Sequence, residues 1–204
     1  MLRCREMIHP SYTPRLILSR YWIADHAWVR ALFPNFYKVD DELYRSNHPG
    51  RRRLAKAKAL GIRSVLSLRD PDCMPSRLER AACDRLGLEL QFVRLRTVFV
   101  PSTETMKSLL EKLRDMPKPM LVHCKSGADR TGLAVTLHRH VIRGEPLSEA
   151  RKSLHWTYGH LPMVKNDIVH RMLDAYAADS ARTGIEFEAW LDSAYDPVAL
   201  NLAH

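Results

Sequence analysis

An α/β fold is predicted for this 204-residue chain from three features of its pattern. From Gly50 onward, amphipathic stretches of helical period alternate with short apolar runs. The helical stretches are closed by Gly61, Gly87 and Gly144, and the apolar runs have the length of buried strands. Together these predict a single domain with a central, mostly parallel sheet flanked by helices, and additional helices toward the C-terminus. A chain of this length supplies one sizeable core, whereas two independent halves would each be marginal.

Residues 51–60 (RRRLAKAKAL) read as a helix stopped by Gly61, and 62–68 (IRSVLSL) as a buried strand ending at Arg69, Asp70 and Pro71. A helix over 76–86 is stopped by Gly87, and 88–95 (LELQFVRL) forms a second strand. Pro101 and Ser102 open a helix in which Met106, Leu109, Leu110 and Leu113 fall at i, i+3, i+4 and i+7, the spacing of a core-facing stripe. The apolar run 119–123 (PMLVH) is a short strand that delivers the chain into Cys124. After a loop (KSGADR), a helix runs from near Arg130 to Gly144, and further helices are expected over 148–158, 163–178 and 185–194. Residues 1–40 read as a helical or irregular layer, and 41–204 as the main domain.

The composition, 46% hydrophobic and 27% charged, is that of a globular protein without a disordered tract. Apolar runs such as residues 16–18 are far too short to span a membrane, and no signal-peptide core is present, so the expected compartment is cytoplasmic. Cys4, Cys73, Cys83 and Cys124 include no C-x-x-C pair, which speaks against a structural zinc site or a disulfide framework. The net charge of +9 favours anionic partners: phosphorylated molecules, or contact with an anionic lipid surface. Basic and aromatic residues are not interleaved as base-stacking surfaces require, so no nucleic-acid partner is expected. The basic run of Arg51, Arg52, Arg53, Lys56 and Lys58 reads as a solvated helix face.

The chemistry is concentrated between Leu121 and Gly132. A loop passing from a strand into a helix N-terminus turns backbone N–H groups inward and adds the positive end of the helix dipole, which suits a tetrahedral dianion. Gly127 permits the sharp turn. The same field acts on Cys124, whose thiol is expected to ionise below its free value of about 8.5 and so to serve as a nucleophile. Arg130 is near enough along the chain for its planar fork to hold two phosphoryl oxygens, Thr131 is placed to donate to the sulfur, and His123 to orient the loop through backbone contacts.

The string His123-Cys124, five residues, then Arg130-Thr131-Gly132 resembles the signature loop of the cysteine-based protein tyrosine phosphatase superfamily, in particular its compact bacterial dual-specificity-like members. The stretch 44–49 (YRSNHP) resembles their entry element, with His48 where glutamine is more usual, and 61–69 (GIRSVLSLR) resembles the strand that follows. The resemblance covers about residues 40–160. It implies a metal-independent, cofactor-free phosphatase acting on phosphorylated proteins or on phosphoinositides and inositol phosphates, with a phosphocysteine on Cys124, the phosphoryl group gripped by Arg130, and the loop amides supplied by Lys125, Ser126, Gly127, Ala128 and Asp129.

Members of the superfamily commonly carry an aspartate general acid upstream of the cysteine. The corresponding stretch here, 96–102 (RTVFVPS), has none. Asp129 leads the candidates, because lipid and inositide phosphatases of the superfamily often have an aspartate in that place. Asp70 and Asp72, after a parallel strand, and Glu104, in a helix's first turn, are the alternatives.

Metal-ligand readings pair His138 with His140, or His155 with His160, but neither pair has the i, i+4 spacing with an acidic partner of a helical zinc motif. Cys73 and Cys83 read as packing residues, or as resolving thiols for an oxidised Cys124. Trp156, Tyr158 and Trp190 are expected in the core. Besides the phosphatase, a phosphate-recognition module without turnover and a sulfurtransferase remain as readings of the same loop.

Overall fold

The structure is a computed structural model, and it describes residues 35–96, 98–160 and 167–202. The chain is an α/β protein with a five-stranded sheet and, among the described residues, eight α-helices. It divides into two compact units, one of residues 35–92 and 117–126, the other of 93–116 and 127–202.

The first unit holds the whole sheet. Its strands are β1 (Tyr37–Lys38), β2 (Leu43–Ser46), β3 (Ser64–Ser67), β4 (Glu89–Phe92) and β5 (Met120–His123), in the order β1-β2-β5-β3-β4. Only β1 is antiparallel to its neighbour. Every residue of β3 and β5 is buried, and their centres, Val65 and Leu66 in β3 and Leu121 and Val122 in β5, show no alternation of apolar and polar residues. Ser46 and Ser67 both register with His123, so β2, β3 and β5 end at one level and release their following loops together. Ligands of open parallel sheets bind at such an edge.

Helices α1 (Arg51–Ala59) and α2 (Met74–Leu86) pack with the sheet around a core that includes Leu54, Ile62, Val65, Cys83 and Leu121. Only Leu54 and Ala57 of α1 are buried; Arg51, Arg52, Lys56 and Lys58 lie on a solvated face, as expected, whereas Arg53 is half-buried and donates from Nη1 to Asn47 Oδ1. The second helix begins two residues before the expected start, with Pro75 in its first turn where a missing N–H costs nothing, and it ends at Gly87 with φ 60°.

The second unit contains α3 (Thr103–Asp115), α4 (Asp129–Leu137), α5 (Leu147–Ala150), α6 (Asp167–Thr183), α7 (Phe187–Ser193) and α8 (Pro197–Leu202). The stripe Met106, Leu109, Leu110 and Leu113 of α3 is buried as its spacing predicts, and Ser102 caps the helix by accepting from Thr105 N at 3.3 Å. Helix α4 is shorter than expected and passes into a π-helical turn over His138–Ile142. Gly132 lies within α4 where a β-carbon would meet Leu154 Cδ2 at 2.5 Å and Ser153 O at 3.2 Å.

The helix expected over 148–158 is instead broken. A 3-10 turn (Arg151–Ser153) follows α5, Leu154 leaves helical space at φ −98°, ψ 78°, and a second turn covers Trp156–Tyr158. His155 explains the break locally, because its Nδ1 accepts from Thr157 N at 3.3 Å and so offers the backbone an alternative to the helix. Trp156 is correspondingly 69% exposed and Tyr158 half-buried, against the expectation of core positions. Trp190 is buried, with its ring stacked among Tyr176, Phe187 and Tyr195 at centroid distances of 4.9–5.7 Å.

Of the helix expected over 163–178, residues 163–166 lie outside the described residues, as do Cys4, Thr97 and residues 1–34 of the expected N-terminal layer. Within the rest of that layer, residues 37–38 form β1. Among the described residues no helix is long and apolar enough to cross a membrane.

Candidate active site

Cys124 follows the last residue of β5 and is 1% exposed. The three carbonyls that begin the loop are each tethered. Cys124 O faces His123 Nδ1 at 3.2 Å, Lys125 O accepts from His48 N at 3.3 Å, and Ser126 O accepts from Asn35 Nδ2 at 3.2 Å. A carbonyl can only accept, so His123 donates from Nδ1. In a trans peptide the C=O and the next N–H point to opposite sides of one plane. Drawing three successive oxygens toward these donors therefore turns the N–H groups of Lys125, Ser126 and Gly127 the other way, the geometry of an anion-binding nest. Gly127 sustains the turn at φ 77°, a region closed to most L-residues.

The other ring nitrogen of His123 is engaged as well. Nε2 lies 2.6 Å from Oε1 of Glu79, whose Oε2 accepts from Ser67 Oγ at 3.2 Å and lies 3.8 Å from His48 Nδ1. All three of these acidic and imidazole side chains are buried. Their ligating atoms lie within 4.8 Å of one another, so the trio is also a donor set that could take a metal ion. Glu79 escapes a motif-based reading, although its signal is present: it shares the buried stripe of α2 with Pro75, Ser76, Ala82 and Cys83, where an acidic residue requires a partner.

In the second unit, Ala128 precedes α4, and Asp129 and Arg130 open it. Arg130 is half-buried and donates from Nη1 to Leu95 O at 3.3 Å. Thr131 is fully buried, and its Oγ1 has no hydrogen-bond partner among the described residues. Asp129 is half-buried, with Oδ1 2.7 Å from His160 Nδ1.

The other acid candidates sit differently. Asp70 lies in the first unit just past β3 and uses Oδ1 to accept from Asp72 N at 3.0 Å, while Asp72 is exposed. Glu104 is exposed in the first turn of α3, where its own backbone N–H and the Ser102 hydroxyl hold its carboxyl below the usual range.

Three of the four histidines considered as metal ligands make contacts with other groups of the protein. His140 contacts Glu145 O and Tyr176, His155 contacts Thr157, and His160 contacts Asp129 and His170. Of the described cysteines, Cys73 contacts Ser76 Oγ at 3.2 Å, and Cys83 sits in the apolar core of the first unit. Burial, with Glu79 and Asp84 adding to it, pushes the Cys83 thiol up to about 12, which makes it a packing residue with no thiolate near neutral pH.

The chain is similar to proteins of known family. Over 122 residues, 58% of this chain, it is 30% identical to the dual specificity protein phosphatase TpbA of Pseudomonas aeruginosa, of which the match covers 53%. It is 33% identical over 112 residues, 53% of the chain, to the inositol diphosphatase DSP5 of Arabidopsis thaliana, of which 54% is covered. The chain thus spans about half the length of the curated relatives it matches. The crystal structure of P. aeruginosa TpbA in complex with phosphotyrosine matches 62% of this chain and 76% of its own, at 25% identity and a TM-score of 0.51. Residues 39–146, more than half of the chain and inclusive of the Cys124 loop, match the model of the tyrosine phosphatase family, and the chain belongs to that family.

Proposed function

We propose that the chain is a phosphatase that hydrolyses phosphomonoesters through a phosphocysteine on Cys124. The observation that carries the reading is the tethering of three successive loop carbonyls directly after a buried cysteine, which leaves three N–H groups to receive phosphoryl oxygens. Arg130 opens the helix that follows, and a planar guanidinium suits charge that spreads over two oxygens in the transition state.

In the first half-reaction the Cys124 thiolate attacks phosphorus. The P–S bond forms, the bond from phosphorus to the leaving oxygen breaks, and Asp129 gives its proton to that oxygen. In the second, water attacks phosphorus, the P–S bond breaks, and the proton from water returns to Asp129 while the thiolate departs. Nucleophile, anion binding and proton transfer are all supplied by side chains and backbone, so no step calls for a metal or cofactor. A thiolate nucleophile works only while reduced, which fits a cytoplasmic setting.

The relatives' names give two substrate classes, phosphorylated proteins for TpbA and inositol phosphates for DSP5. The net charge of +9 suits both. The test is hydrolysis of p-nitrophenyl phosphate in EDTA by wild type, Cys124→Ser and Arg130→Lys, followed by phosphotyrosine peptides and inositol phosphates. Turnover that survives EDTA and disappears in Cys124→Ser supports the reading. Turnover that persists in Cys124→Ser refutes it, and binding of phosphate without turnover of any substrate would favour a recognition module.

A further inference from the structure

His160 is 2% exposed, yet both of its ring nitrogens are engaged. Nδ1 lies 2.7 Å from Asp129 Oδ1, and Nε2 lies 2.8 Å from His170 Nε2. Beyond it, His170 Nδ1 is 3.4 Å from Arg151 Nη2, which is itself 2.6 Å from Asp174 Oδ1. Five side chains from α4, α6 and the turns between them thus form one row ending at Asp129.

The chemistry of these atoms orients each proton in the row. A guanidinium has donors only, so His170 Nδ1 accepts from Arg151. Neutral His170 then carries its hydrogen on Nε2 and donates it to His160 Nε2. That nitrogen accepts, which leaves the His160 hydrogen on Nδ1, aimed at Asp129 Oδ1. Arg151, two contacts away, sets the tautomer of His160. The same second-partner logic fixes metal-bound and catalytic imidazoles generally.

We infer that His160 is a positioning residue for Asp129, holding Oδ1 as an acceptor and so fixing the orientation of the carboxyl group that exchanges a proton with substrate and water. The inference rests on the proposed reaction and on Asp129 as its acid. In the first half-reaction the Asp129 carboxyl loses its proton to the leaving oxygen, and the bond from Nδ1–H strengthens as the carboxylate becomes anionic. In the second, the carboxylate recovers a proton from water. His160 keeps its own hydrogen throughout. The arrangement also gives a physical counterpart to the absence of an aspartate from the stretch 96–102: the acid is on the helix that follows the cysteine loop, and an aspartate there needs a fixed orientation that a buried imidazole provides.

The test uses the full chain with His160→Leu and His160→Asn, since asparagine can present an N–H near the position of Nδ1. Turnover is followed on p-nitrophenyl phosphate, whose leaving group needs little protonation, and on an alkyl phosphate, whose leaving group needs it fully. His160→Leu is expected to lower kcat about 100-fold on the alkyl ester and only about 5-fold on the nitrophenyl ester, the difference being the share of general-acid catalysis. His160→Asn is expected to recover most of the alkyl-ester loss.

An equal loss on both esters, or an asparagine variant no better than leucine, overturns the role of His160 and leaves the Cys124 reaction standing. A wild type inert on both esters overturns the proposed reaction instead. Independent of turnover, 15N NMR of the imidazoles should show His160 with hydrogen on Nδ1 and His170 with hydrogen on Nε2, and Arg151→Ala should release both from single tautomers. His160 with hydrogen on Nε2 overturns the inference whatever the kinetics.

Discussion

Substituting Glu79 tests whether the cysteine loop is held from behind by a buried polar trio. The carboxylate is 2.6 Å from His123 Nε2, accepts from Ser67 Oγ at 3.2 Å, and is fully buried. Glu79→Leu preserves volume but removes the acceptor, leaving the Ser67 hydroxyl and the His123 nitrogen without it. Each such loss costs about 1–3 kcal/mol, and breaking a buried ionic contact from one side typically costs about 3–5 kcal/mol.

Glu79→Gln should be milder, at about 1–2 kcal/mol, because an amide still accepts from Ser67 and can donate to His123, so that only the charge assistance is lost. Urea denaturation separates the cases. With a slope of about 2 kcal/mol per molar, the leucine variant should lower the midpoint by about 2 M and the glutamine variant by under about 1 M. A leucine variant as stable as wild type would show that apolar packing serves the position equally well and that the trio does not anchor His123.

Gly132→Ala should destabilise the fold by about 1–3 kcal/mol, because the new methyl meets the Ser153 carbonyl as well as the movable Leu154 end, and the change is read as a shift in thermal midpoint. Trp190→Ala, in the aromatic cluster of the second unit, should cost about 3–5 kcal/mol by chemical denaturation. Cys83 should resist Ellman's reagent at pH 8.5 in the native state and react only on unfolding, since burial holds its thiol at about 12. The sign of the linkage follows. The folded chain retains the Cys83 proton that the unfolded chain loses above about 8.5, so the Cys83 contribution to stability is intact below that pH and declines as pH rises toward 12. A Cys83→Ala variant should lose that part of the alkaline decline in a pH series of urea midpoints.

What was legible in the sequence was what depends on local spacing. The stripe of α3, the strand into Cys124 and the glycine stop after α2 each follow from residues within a few positions of one another. The segment 148–158 misled because its periodicity suits a helix, while the side-chain cap at His155 and the turn at Gly159 act against one. Helix α8 was missed although its signal is short and clear: Asp196 accepts from Val198 N and Ala199 N, both at 2.9 Å, and Pro197 occupies the first helical position. The partners of the site were not legible, because they are defined by contacts between distant segments. Asn35 reaches Ser126 across 91 residues, and His160 reaches Asp129 across 31.

On the proposed reaction, the two histidine networks serve different residues, one Cys124 and the other Asp129. A cysteine that is to ionise needs a backbone held in one conformation, and the contact from His123 to the Cys124 carbonyl, backed by Glu79, opposes relaxation of that peptide. On the proposed reaction, the Asp129 carboxyl that protonates the leaving group needs a fixed orientation, which its contact with His160, backed by His170 and Arg151, favours. A chain with ten histidines invites a search for metal ligands. Here His123 meets the Cys124 carbonyl through Nδ1 and lies against Glu79 through Nε2, while His160 joins Asp129 to His170, so imidazole at these positions serves contacts within the protein.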